Sequence, residues 1–123
     1  MSVSAYKKTI KNTETPRDIE RRIISQVTTR LTQVQEDFDA AEQRRFAITN
    51  EIREAVYDNQ RLWITLKADL MAEENKLSPE LRADLISLSM WVDKQCTSVL
   101  NGEGTIAPLI EVNQNIINGL SAK

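Results

Sequence analysis

Two groups of carboxylates have the spacing that could gather a metal ion: Asp37, Asp39 and Glu42, and Asp69, Glu73 and Glu74. Steps of three and four place such side chains on one helix face, and hard cations take oxygen ligands. Neither group has an E-x-x-H partner or a calcium-loop glycine, so both read as solvated charge. The chain contains no histidine, the side chain most often used for proton transfer near neutral pH. The remaining acids, lysines and tyrosines are scattered over helical surfaces, and no triad can be drawn from them. Cys96 is the single cysteine, which excludes an internal disulfide and a Cys/His metal site. It falls on an apolar stripe with no basic neighbour at helical spacing, so it reads as a small core residue and not as a nucleophile. Gly102 and Gly104 are followed by neither Lys-Ser nor Lys-Thr, which leaves no phosphate cradle. No enzymatic activity and no cofactor are expected. The work of this chain is read as binding another macromolecule.

The elements that carry these residues follow from composition and spacing. At 123 residues, with 41% apolar and 28% charged side chains, the chain has the size of one domain (1–123) that buries roughly two thirds of its unfolded surface. Three glycines and three prolines in a background of Ala, Leu, Ile, Glu, Gln, Arg and Lys favour helix nearly everywhere. The expected fold is all-α: a small bundle of about four to five helices, two of them long, with a short C-terminal helix.

No glycine or proline occurs between Pro16 and Pro79, so helix must fill most of that interval. Thr15, Pro16 and Asp18 form a helix start, with a capping hydroxyl, a proline at the first position and an acid at the positive end of the dipole. The apolar line Ile19, Ile23, Val27, Leu31, Val34, Phe38 and Ala41, widened by Ile24, runs on through Ile48, Ile52, Val56, Asn59, Trp63, Leu66 and Leu70, with Phe46 beside it. A single helix of that extent would overshoot a compact domain. A bend or connection is therefore expected in 36–43, with one continuous projecting helix as the alternative. The second long helix is expected to end at Asn75. Ser78-Pro79-Glu80 opens the next, whose stripe is Leu81, Leu85, Leu88, Val92, Cys96 and Val99. Asn101-Gly102-Glu103-Gly104 stops it. Pro108 begins the last helix, with Leu109, Val112, Ile116 and Leu120 on one face, Ile110 and Ile117 on a flank, and Gly119 as its cap. Val3, Tyr6 and Ile10 suggest a short N-terminal helix.

Net charge is −2, but residues 1–35 hold seven basic and three acidic side chains, leaving nine and fifteen in 36–123. The basic third reads as a solvated helix face. Its rival reading is an RNA-binding surface of Lys7, Lys8, Lys11, Arg17, Arg21 and Arg22, disfavoured by the near-neutral charge and the absence of exposed stacking motifs. A third reading is a dimerising bundle with the Gln26 to Phe38 stripe as its seam. No signal peptide and no membrane span are visible, and a cytoplasmic location is expected.

Several stretches in order resemble one family. They are Ala5-Tyr6, Thr15-Pro16-Arg17-Asp18-Ile19-Glu20, Asn59-Gln60-Arg61-Leu62-Trp63, Ala68-Asp69, Leu77-Ser78-Pro79 through Leu88-Ser89-Met90-Trp91-Val92, and Leu109-Ile110-Glu111-Val112-Asn113 running to Gly119-Leu120. Together they look like the FlaF family of flagellar biosynthesis regulators of alphaproteobacteria, with a weaker likeness across 35–57. The resemblance implies a cytoplasmic factor that promotes flagellin synthesis and secretion by chaperoning flagellin. It would act opposite FlbT, a repressor of flagellin mRNA translation and a further protein the chain could contact.

A chaperone of that kind needs an apolar groove or exposed helix face for an amphipathic helix. Asn59, a polar residue on the apolar line, could anchor a partner or fix helix register within the core, with Arg61 and Trp63 beside it. Trp91, on the flank of its stripe, could anchor an interface, although both tryptophans are expected in the core. Ile110, Asn113 and Ile117 belong to a last helix with more apolar width than a surface helix needs, so it either docks a partner or lies between other helices. Tyr6 and Ile10 complete the set of candidate partner contacts, with docking on their own bundle as the alternative.

Overall fold

The computed structural model describes residues 16–121, with side chains described from 20 to 119. Within them lie helices α1 (Pro16–Asp39), α2 (Asn50–Met71), α3 (Pro79–Leu100) and α4 (Ala107–Ser121), plus a 3-10 turn at Arg44–Phe46. No strand occurs among the described residues, and the helices pack as a bundle. Helix α2 packs chiefly on α3, α1 on both α2 and α4, and α4 only touches α3. Thr15, Tyr6, Ile10 and the suggested N-terminal helix lie outside the described residues.

The break between the two long helices is real, and the continuous-helix alternative does not occur. Helix α1 stops at Asp39 within the expected interval, but the connection then runs to Thr49. Phe46, expected beside the apolar line, instead sits in the turn, 73% exposed, with the Arg45 guanidinium 5.0 Å above its ring. Thr49 restarts the helix: its hydroxyl accepts the Ile52 N–H at 3.2 Å, filling one of the free donors of a first turn.

Helix α2 ends at Met71, earlier than the expected Asn75. Arg82 of α3 reaches back and donates to the carbonyls of Leu70 (2.9 Å) and Ala72 (3.3 Å), satisfying groups that another helical turn would have claimed. Ser78 caps α3 as expected, its hydroxyl accepting the Leu81 N–H, with Pro79 in the first turn. At the other end Glu103 N–H donates to Ser98 C=O and Gly102 N–H to Val99 C=O, both at 2.9 Å. This is a Schellman closure, and Gly102 takes the left-handed position with φ 75°. Helix α4 continues through Gly119 to Ser121, so Gly119 lies inside the helix and does not cap it.

The core joins Leu31 and Phe38 of α1, Ile52, Ala55, Val56 and Trp63 of α2, Val92, Cys96 and Val99 of α3, and Ile106 and Leu109 at the start of α4. The inward face of α1 is rotated from the expected line: Ile24 and Thr28 are buried, whereas Ile23 is exposed. Likewise Leu81, in the first turn of α3, is exposed, and Ser89 takes a buried place beside Val92.

Candidate interaction surface

Three of the residues singled out in the sequence meet inside the bundle. Trp63 Nε1 donates to Asn113 Oδ1 at 2.9 Å, and Asn113 Nδ2 donates to Asn59 Oδ1 at 2.7 Å. Asn59 Nδ2 in turn approaches Cys96 Sγ at 3.6 Å. All four side chains are buried, so the chain of donors ties α2, α3 and α4 together where water cannot substitute. Burial pushes the Cys96 thiol up from 9.0 to about 11, against a lowering by the Asn59 hydrogen bond and with a small addition from Asp93. The thiol is therefore protonated at neutral pH and unsuited to nucleophilic attack. Asn59, Trp63 and Asn113 face one another and not solvent; they set helix register, because an unpaired buried amide costs more than a mispacked methyl group.

Arg61 lies elsewhere, on the surface. Its guanidinium donates to Asp58 Oδ1 at 2.5 Å, while Arg30 of α1 donates to Asp58 Oδ2 at 2.5 Å. Two cations thus share one carboxylate, and their side chains remain 75% and 62% exposed. They border a shallow groove between α1 and α2 of about 450 Å³, which includes Ile23, Val27 and Leu62. Sequence spacing on α2 alone pairs Asp58 with Arg61; the participation of Arg30 requires the packing of α1 on α2.

Next to Arg61, α2 carries a line of exposed apolar side chains, Tyr57, Ile64 and Met71. Their spacing of seven keeps them on one side of the helix. Ile64 and the exposed Met90 of α3 meet at a cavity of about 310 Å³, with Lys67 and Lys94 at its edge. Gln60 bridges the helices there, donating to Asp93 Oδ1 at 2.9 Å. Trp91 is 40% exposed on α3, which corrects the expectation that both tryptophans enter the core. Ile110 and Ile117 of α4 are half-buried. Ile110 packs against the core, and Ile117 lines a hollow against Ser25, Thr28 and Thr29 of α1.

Two of the carboxylates that could have gathered a metal are engaged otherwise. Asp39 accepts the Ile106 N–H at 2.8 Å and the Ala107 N–H at 3.0 Å, so it caps α4 from the end of α1. Beside it, Arg44 Nε donates to Gly104 C=O at 3.0 Å. Asp69 accepts from the Asn75 side chain. Among the described residues no group of three His, Cys, Asp or Glu could hold a metal ion, and no helix is long and apolar enough to cross a membrane.

These features amount to a helical scaffold with a tied polar interior and apolar side chains left on its outside. No curated protein and no solved structure matches the chain. A family model described as Flagellar protein FlaF matches residues 2–120, covering the capping sites, the interior network and both flanks of α2. The chain belongs to the FlaF family of flagellar proteins.

Proposed function

We propose that this chain promotes flagellin synthesis and secretion by binding flagellin as an export chaperone, and that it performs no catalysis. The observation that carries the reading is the unused apolar line on α2: Tyr57, Ile64 and Met71, continued onto α3 by Met90. Exposed apolar side chains in a row, two of them flexible methionines, suit a helix-in-groove contact with a variable partner. Flagellin enters as the client because the chain is a FlaF-family flagellar protein, and a client with amphipathic helical ends would cover such a line. In this reading the interior network holds α2 and α3 in the alignment that the contact needs.

The test is co-elution of purified protein with flagellin monomer, followed by titration of Ile64→Ser/Met71→Ser. Both positions are exposed, so the melting curve should hold. The affinity should fall about tenfold or more, since losing even one well-buried contact of this size is worth that factor. Unchanged affinity moves the client off α2, and RNA co-eluting in place of flagellin reverses the reading in favour of a nucleic-acid regulator.

A further inference from the structure

We propose that the groove between α1 and α2 is a second docking site, built for an amphipathic protein helix that carries a carboxylate and a cation about two turns apart. The site lies on the side of α2 that faces α1, and none of Tyr57, Ile64 and Met71 lines it; it does not depend on flagellin being the client.

The first argument is coverage. One flank of α1, at Ser25, Thr28 and Thr29, faces Ile117 and Gln114 of α4. The other flank, at Ile23 and Val27, faces α2 alone among the described residues, and Ile23 stays 42% exposed there. An isoleucine in that position is only partly covered in the monomer and loses its remaining contact with water if a partner helix lies over it.

The second argument is charge. Arg30 and Arg61 converge on Asp58, each through one N–H at 2.5 Å. A guanidinium has five N–H donors, so both retain donors that a further carboxylate could accept from, and the trio keeps one net positive charge. On the loop side of Arg30 the groove continues into a hollow of about 410 Å³ flanked by Glu51 and Glu54. The seven steps from Glu51 to Asp58 span about 10 Å along α2, two turns of a helix lying beside it. A complementary partner presents apolar residues to Ile23, Val27 and Leu62, an acid to the arginine pair and a base to the glutamates.

The probe is a synthetic helix of about 18 residues, long enough to fold when bound, with a leucine stripe flanked by glutamates in one half and lysines in the other. Its control replaces every flanking charge with glutamine. By titration calorimetry the charged peptide should bind at least tenfold tighter than the control, with the advantage shrinking as salt rises. Arg30→Gln/Arg61→Gln should erase the advantage without moving the melting curve, and Arg30→Glu/Arg61→Glu should bind a peptide flanked by lysines throughout. Ile23→Glu, at an exposed position, should weaken both peptides and serves as the second variant if the arginine pair proves needed for folding. Equal binding of the two peptides, or binding of neither, overturns the proposal. So does a dimer in sedimentation that Arg30→Gln/Arg61→Gln dissociates, because the groove then belongs to a second copy. Ile64→Ser/Met71→Ser should leave peptide binding intact, which separates a failure here from a failure of the flagellin reading.

Discussion

Cys96 shows how a single buried side chain ties stability to pH. Its thiol is held up at about 11 from an ordinary 9.0, chiefly by burial, so the folded chain keeps that proton more tightly than the unfolded one. The stabilisation is complete below pH 9 and is lost as pH rises toward 11. Over that window the native protein should lose up to about 3 kcal/mol from this group, at roughly 1.4 kcal/mol for each pH unit. Urea unfolding at about pH 8 and about pH 11 should therefore show a steeper decline for the native sequence than for Cys96→Ala. Parallel declines would mean that the thiol ionises as readily folded as unfolded. The sequence already places Cys96 on a stripe without cations, which is enough to see it as inert. It also marks Asn59 as a polar residue in an apolar line. Its partner Asn113 is 54 positions away, and no local spacing links the two. Trp91 misleads for a related reason: scarcity of aromatics argues for the core, while its place on the flank of its stripe carries it to the surface.

At the scale of elements, caps and stripes are legible and contacts between ends are not. Thr49, Ser78 and Gly102 each act within a few residues of themselves, although only the last two stand out beforehand. Helix α4 is different, because its preceding residue is Ile106, which has no side-chain acceptor. The missing acceptor comes from Asp39, 67 positions earlier. An apolar residue at a helix start was the one available hint that an acceptor must arrive from elsewhere. The two loop ends are pressed together: a Cβ on Gly102 would lie 2.3 Å from the Arg45 Cα, so this glycine is required by its positive φ and by its neighbour. Asp39→Ala should cost about 1–2 kcal/mol in chemical denaturation, the range of a lost helix cap. Hydrogen exchange should show the first turn of α4 opening faster, with α2 and α3 unchanged. A uniform acceleration over all four helices would show instead that Asp39 supports the whole bundle and not the start of α4.

For the whole molecule, helix content and amphipathic phase follow from the chain, whereas the order of packing does not, since every stripe here is compatible with several neighbours. What decides the arrangement is that α4 lies on α1 yet closes the polar network of α2 and α3 through Asn113. Truncation after Gly104 tests whether the first three helices could stand alone. It removes Ile106 and Leu109, both fully buried, at about 1.5–3 kcal/mol each. It also leaves the Trp63 indole N–H and the Asn59 carbonyl without their partners, at about 1–3 kcal/mol for each buried group left unpaired. The sum approaches the about 5–15 kcal/mol that holds a domain of ordinary stability together. In a Trp91→Phe background, which leaves Trp63 as the only reporter, the truncated chain should show red-shifted emission and a broad melt without a cooperative midpoint. A sharp melt with emission still blue would show that α1, α2 and α3 form a core without α4.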